Sequence, residues 1–279
     1  MRKKLRIAAF VLAVALILFA GYKVLDILAE YREAGETYES IAEEFRHPVT
    51  EPPETTAPAT EPPVTEPVTA PGTDEPMTDD PTDEPVLKPA RAPLAVDFEK
   101  LRAKNADVVG WIYADDTPID YPIVQAADND YYLRRMLNKR YNVSGSIFMD
   151  YRSASDFSDP LTVVYGHNMK NDTMFGSLTK YGDGGYYEAH PWLWLLTPAG
   201  NFRIDVVAGF DVSPSSAIYQ YPETAAEMSS WLDALASYPS DFTSHDAIAD
   251  GDRVILLSTC SYAFDNARYV VVGKLVPVK

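Results

Sequence analysis

Hydrophobic positions in the last two thirds of the chain fall in short, β-branched runs bounded by turn residues, and each run predicts a strand. They occupy residues 108–113, 119–125, 146–150, 161–166, 192–197, 202–212, 253–259 and 268–276. The turn Pro198-Ala199-Gly200-Asn201 between two of them predicts a hairpin. The last two runs flank residues 261–267, whose Ser, Asp and Asn suit a loop, so they predict antiparallel neighbours. Helical spacing replaces this pattern in three places. Residues 96–104 set Phe98 and Leu101 on one face, residues 128–137 have a helical pattern, and 223–238 align Met228, Trp231, Leu232 and Leu235 opposite Ser, Glu and Asp. Many short strands with irregular connections predict a mostly β fold with added helices, an α+β domain built on a closed barrel.

The front of the chain follows other patterns. Arg2, Lys3, Lys4 and Arg6 precede an uncharged apolar run that starts at Ile7 and continues around Lys23 and Asp26 to Leu28, about the twenty residues a bilayer crossing needs. A cleaved signal peptide is the competing reading, but the run is long for one and lacks a clear small-x-small cleavage site. Residues 1–28 therefore predict a basic cytoplasmic end and a single-pass signal-anchor, with everything after residue 28 outside the cell membrane. Residues 29–46, rich in Glu and Ala, predict a polar helical stalk with a solvated charged face. Residues 47–94 predict a disordered Pro/Thr/Glu-rich spacer that sets the reach from membrane to domain, because repeated Thr-Glu-Pro phrases cannot bury a core. Residues 95–279 are long enough for one well-buried domain.

Charge changes the picture little. The formal net charge is −17, and ten acids against Lys88 and Arg91 place −8 of it between residues 47 and 93. Acidity is thus largely a property of the spacer, and it counts against nucleic-acid binding.

Candidate chemistry gathers near the C-terminus. Cys260 is the sole cysteine, and pairing of the last two strands would set it beside Arg268, whose fixed charge favours a thiolate and can donate to an oxyanion. A lone cysteine is often a small buried hydrophobe, yet an unpaired one outside the cell is an oxidation liability that marks a reactive thiol. Of four histidines, His47 lies in the spacer, His190 precedes Pro191, and His245 sits in a polar stretch. His167 follows an apolar strand through Gly166, on a rigid strand end that suits a base paired with Cys260. Ser258 and Thr259 flank the thiol and shape its surroundings, and Asp246 and Asp265 are the acids nearest in sequence. Neither a His/Cys cluster with metal spacing nor a Gly-rich phosphate loop occurs, so no metal and no cofactor are expected.

Tyr165-Gly166-His167-Asn168-Met169, then Leu257-Ser258-Thr259-Cys260, then Arg268-Tyr269-Val270-Val271 resemble, in that order, the sortase family. Residues 119–125, 130–133 and 145–151, with the helix before the cysteine strand, narrow the likeness to class B sortases, transpeptidases that attach proteins to the Gram-positive cell wall. The likeness spans residues 95–279. It implies an eight-stranded barrel with an N-terminal helix and no cofactor. It further implies that Cys260 is the nucleophile toward a Thr carbonyl in a C-terminal sorting signal, with His167 as general acid/base and Arg268 at the carbonyl and oxyanion. Ser258, Thr259 and Asn168 would line the groove, and an amine of peptidoglycan or its lipid-linked precursor would accept the acyl group. Two features depart from the family: Leu256 stands where its cysteine motif usually has Thr, and the long spacer is unusual for the class. A cysteine peptidase using water, a pilin-polymerising sortase and a non-catalytic stalked binding module are the alternatives.

Overall fold

The computed structural model describes residues 2–49 and 88–279, so most of the expected spacer, 50–87, lies outside the described residues. Helix α1 (Arg2–Phe45) leads into strand β1 (Arg46–Pro48), and after the spacer come β2 (Leu94–Val96) and α2 (Phe98–Lys104). Then follow β3 (Val108–Tyr113), β4 (Asp120–Gln125), β5 (Ile147–Met149), β6 (Leu161–Tyr165), the single turn α3 (Tyr186–Ala189), β7 (Trp192–Thr197) and β8 (Gly200–Val212). Helix α4 (Ala225–Ser237), β9 (Val254–Cys260) and β10 (Arg268–Val278) complete the chain. Eight strands close into a barrel in the order β10-β8-β7-β3-β4-β5-β6-β9, as the resemblance implied.

Alternation explains how the barrel is filled and covered. Along β9, Ile255 and Leu257 join Trp111, Ile123 and Trp194 in the interior, while Val254 and Leu256 face the other way, against Met228 and Trp231 of α4. The apolar residue at position 256 is therefore seated under α4. Thr224 and Glu227 form a reciprocal capping box that starts α4 where its pattern predicts.

Residues 128–137 do not form the expected helix; only Tyr132–Arg134 makes a 3-10 turn. Their backbone groups are taken by partners farther along the chain: Ser146 N–H donates to the Tyr132 carbonyl, and Asn142 N–H to that of Arg134. The buried Tyr132 hydroxyl donates to Asp107 at 2.5 Å and accepts from Asn105 at 2.8 Å. Tertiary hydrogen bonding outweighs a weak local preference here.

Helix α1 has two parts. Over residues 9–28 its large apolar side chains are exposed, Phe10 by 71% and Ile17 by 70%. Farther on, Ala34, Tyr38, Ile41, Ala42 and Phe45 form a buried stripe at helical spacing against the barrel, so the segment expected to be solvated is docked on one face. β1 and β2 then pair antiparallel, and Val49 N–H donates to the Pro93 carbonyl at 2.9 Å. Residues 88–94 sit on the barrel as well: Lys88 bonds Asp205 and Asp246, and Ala92 N–H donates to the Lys279 carbonyl. Both ends of the spacer thus meet at one ladder, and the path from the apolar helix to the barrel does not run through it.

Candidate active site

Register places the chemistry. In the antiparallel β9/β10 ladder Cys260 is directly opposite Arg268, and Arg268 is also opposite Val212 of β8. On the other side β6 runs parallel to β9 with Tyr165 opposite Ser258, and Gly166 N–H donates to the Ser258 carbonyl. His167 lies two residues past Tyr165 as Cys260 lies two past Ser258. Strands with a two-residue side-chain period therefore deliver a thiol, an imidazole and a guanidinium to one barrel end. All three line a single cleft of about 490 Å³, a size suited to an extended peptide or small ligand.

The backbone around the thiol is fixed from several sides. Asn168 Nδ2 donates to the Cys260 carbonyl at 2.8 Å, and the Thr259 hydroxyl donates to the Gly166 carbonyl at 2.9 Å. Gly166 admits no side chain, since a Cβ there would lie 2.5 Å from Ile147 Cδ1 and 2.7 Å from the Phe175 ring. Ser258 and Thr259 both border the cleft, whereas Asn168 acts on the backbone behind it.

The histidine is held by a different part of the chain. His167 Nε2 is 2.6 Å from the Leu133 carbonyl. A carbonyl only accepts, so Nε2 carries the proton and Nδ1 is the open nitrogen of the neutral ring. Burial holds the imidazole below its ordinary pKa; the Leu133 carbonyl opposes that shift and the Arg134 cation adds to it. On Arg268, the described hydrogen bonds involve one terminal nitrogen, which donates to the Asn266 and Ala267 carbonyls at 3.0 and 3.1 Å. These bonds orient the planar group while its remaining N–H donors are available to a ligand.

Sequence reasoning passed over three contributors. Tyr219 borders the cleft and shares a 2.8 Å hydrogen bond with the Ser258 hydroxyl; burial pushes its phenol up to about 12, with Ser258 and Arg268 opposing. Leu133 supplies the histidine's acceptor through its backbone, which no side-chain pattern advertises. Asp150, wholly buried, accepts from Arg152 at 2.9 and 2.8 Å, from Asn129 at 3.1 Å and from Tyr165 at 2.9 Å. Burial raises its pKa, yet these hydrogen bonds outweigh burial and hold the carboxyl below the usual range. Of the acids near the motif, Asp246 pairs with Lys88 and Asp265 is exposed; neither borders the cleft. Among the described residues no group of acids, histidines and cysteine is arranged to hold a metal.

A family model described as Sortase domain matches residues 112–276. The chain is 38% identical over 184 residues to Sortase B of Listeria monocytogenes, covering 64% of this chain and 73% of that protein. A Staphylococcus aureus sortase B–substrate complex superposes with a TM-score of 0.61 at 30% identity, over 65% of this chain and 85% of that one. A sortase B complexed with triglycine superposes with the same score and identity, over 65% and 86%.

Proposed function

This chain belongs to the sortase family as a class B sortase, a cysteine transpeptidase, and from that premise we propose that it cleaves a C-terminal sorting signal after a threonine and transfers the acyl group to a cell-wall amine. The observation that carries this reading is the shared cleft of Cys260, His167 and Arg268, fixed by strand register. Cys260 Sγ attacks the threonine carbonyl carbon as the thiol proton passes to Nδ1 of the neutral His167. Arg268 donates to the oxygen as it becomes an oxyanion. Collapse of the tetrahedral species breaks the C–N bond, and the imidazolium gives its proton to the departing amine, leaving a thioester on Cys260. An incoming primary amine then loses a proton to His167 and forms the new amide, which releases the thiol.

A peptide donor and a glycine-type amine acceptor are supported by the substrate and triglycine complexes of related sortases, and the acceptor in this proposal is a peptidoglycan amine, free or on a lipid-linked precursor. The apolar helix supports a single-pass anchor in residues 7–28, with the basic N-terminus in the cytoplasm and the barrel outside. The catalytic unit is residues 95–279 together with the α1 stripe and residues 88–94 seated on it. For that reason the test uses the full chain in lipid nanodiscs, mixed with Pro-x-Thr-Gly and Pro-x-Thr-Asn peptides and with triglycine or a diaminopimelate-type amine. Mass spectrometry should find an acyl adduct on Cys260 and an amide-ligated product. Free acid alone at high amine concentration would indicate a peptidase, and no adduct on a thiol inert to alkylation would indicate a binding module.

A further inference from the structure

The segment that carries Leu133 continues into a strongly basic stretch of an acidic chain. Residues 134–143 include Arg134, Arg135, Lys139 and Arg140 and not one Asp or Glu, in a protein of formal charge −17. Arg134, Arg135, Lys139, Arg140 and Tyr141 are exposed, Tyr141 by 64%. Lys139 pairs with Asp107 and Arg140 with Glu33, but among the described residues neither Arg134 nor Arg135 pairs with a carboxylate. The Arg135 guanidinium instead rests over the Tyr131 ring, 4.6 Å from its centroid.

What this stretch touches on α1 fixes its height. Asn142 Nδ2 donates to the Glu30 carbonyl at 3.0 Å, Val143 N–H donates to the Glu30 carboxylate at 3.0 Å, and Arg140 reaches Glu33. Glu30 follows the end of the apolar run at Leu28 by about 3 Å of helix rise. The other end of the docked stripe, Phe45, is about 22 Å farther along the axis. Unpaired guanidinium groups and an exposed tyrosine at that level match the phosphate and glycerol zone of a bilayer, where cations and amphipathic rings are favoured.

We propose that residues 134–143 form a membrane-contact surface, in which Arg134, Arg135 and Tyr141 rest on the anionic phosphate headgroups of the bilayer that α1 spans. The inference depends on the reading of α1 as a membrane anchor and adds to it a second, lateral contact made by the barrel. Two attachments fix the tilt of the barrel, which one helix cannot do alone. Because Leu133 and Arg134 are consecutive and Leu133 borders the cleft, this contact also places one wall of the cleft close to the lipid surface.

The test uses the full chain with Cys260→Ala, so that a single new cysteine can carry a fluorophore, in nanodiscs containing phosphatidylglycerol and lipid nitroxides. Three reporters are placed singly: Leu18→Cys in the apolar helix, Asn138→Cys in the basic stretch and His47→Cys just past the far end of α1. Acyl-chain nitroxides should quench the Leu18 reporter, and headgroup nitroxides the Asn138 reporter, with His47 unquenched. Arg134→Gln with Arg135→Gln, or replacement of phosphatidylglycerol by phosphatidylcholine, should cut Asn138 quenching to roughly a third without changing Leu18. A quenched Leu18 with Asn138 no more quenched than His47 overturns the contact and leaves the anchor standing. Asn138 quenching that ignores both charge changes overturns headgroup recognition, and an unquenched Leu18 overturns the anchor and the contact together.

Discussion

The wall of the cleft that holds Cys260 and Arg268 is built from β6, β9 and β10, where ladder hydrogen bonds fix every residue and the side chains follow from register. The wall that holds His167's partner is built from residues 128–146, a stretch with one 3-10 turn, whose shape comes from scattered side-chain and long-range backbone bonds. Tyr38 of α1 reinforces that second wall by donating to the Gly145 carbonyl at 2.7 Å and bonding Ser146 at 2.9 Å. Strand-built chemistry tolerates little motion and needs few supports. Chemistry held by an irregular segment depends on many weak contacts, one of them from the helix proposed to cross the membrane.

The comparison predicts that changes on the strand wall act on chemistry directly. Cys260→Ala should leave no acyl adduct by mass spectrometry and lower turnover by at least about 10³-fold, since it removes the proposed nucleophile. The fold should persist, because Cys260 ends its strand and an alanine keeps the ladder. Arg268→Lys keeps the charge but loses the planar fork, and should lower kcat by about 10²-fold with little change in KM. A loss confined to KM would mean that Arg268 only binds substrate.

The two walls also differ in how far the sequence displays them. Alternation and loop length were sufficient to set Arg268 opposite Cys260, and a strand ending at Gly166 put His167 forward among four histidines as a partner for that thiol; the three line one cleft because strands translate residue spacing into spatial register. The same reasoning made a helix of residues 128–137, because nothing local reveals that the Tyr132 carbonyl is reserved for Ser146 and the Tyr132 hydroxyl for Asp107. The docked half of α1 was hidden for a related reason. Its stripe of Ala34, Tyr38, Ile41, Ala42 and Phe45 lies among so many glutamates that composition suggested a solvated face, and only the barrel surface shows which side is covered. The ladder between β1 and β2, three residues on each side of a long Pro-rich insertion, is too short to carry a pattern.

A smaller change probes the irregular wall without touching a reacting group. Gly145 has φ +57°, and a Cβ there would come within 2.5 Å of the Leu133 carbonyl oxygen and 2.8 Å of the Tyr132 one. Gly145→Ala adds the left-handed penalty of about 1 kcal/mol and must displace the acceptor of His167. Turnover should fall by roughly tenfold, with a lowered Tm, while the reactivity of Cys260 toward a small alkylating reagent changes less than turnover does. Equal losses in both would mean that the two walls are coupled as one unit.

The mildest prediction concerns protons. His167 has a folded pKa below the 6.5 of an unperturbed imidazole, through burial first and the Arg134 cation in addition. Between 6.5 and that lower value the unfolded chain binds more protons than the folded one at this site. Stability from this group is therefore complete above pH 6.5 and is lost as pH falls toward the folded value. The acid limb of kcat/KM should lie below pH 6.5, because in the proposed mechanism the neutral ring takes the thiol proton. Arg134→Gln removes the nearby cation and so makes the imidazolium easier to form, which moves the acid limb upward toward 6.5. Cys260 and Arg268, held on the other wall, should keep the plateau rate within about twofold of the parent. An acid limb that does not move in this variant would show that Arg134 does not act on the ring, and the electrical link between the irregular wall and the catalytic proton would be lost.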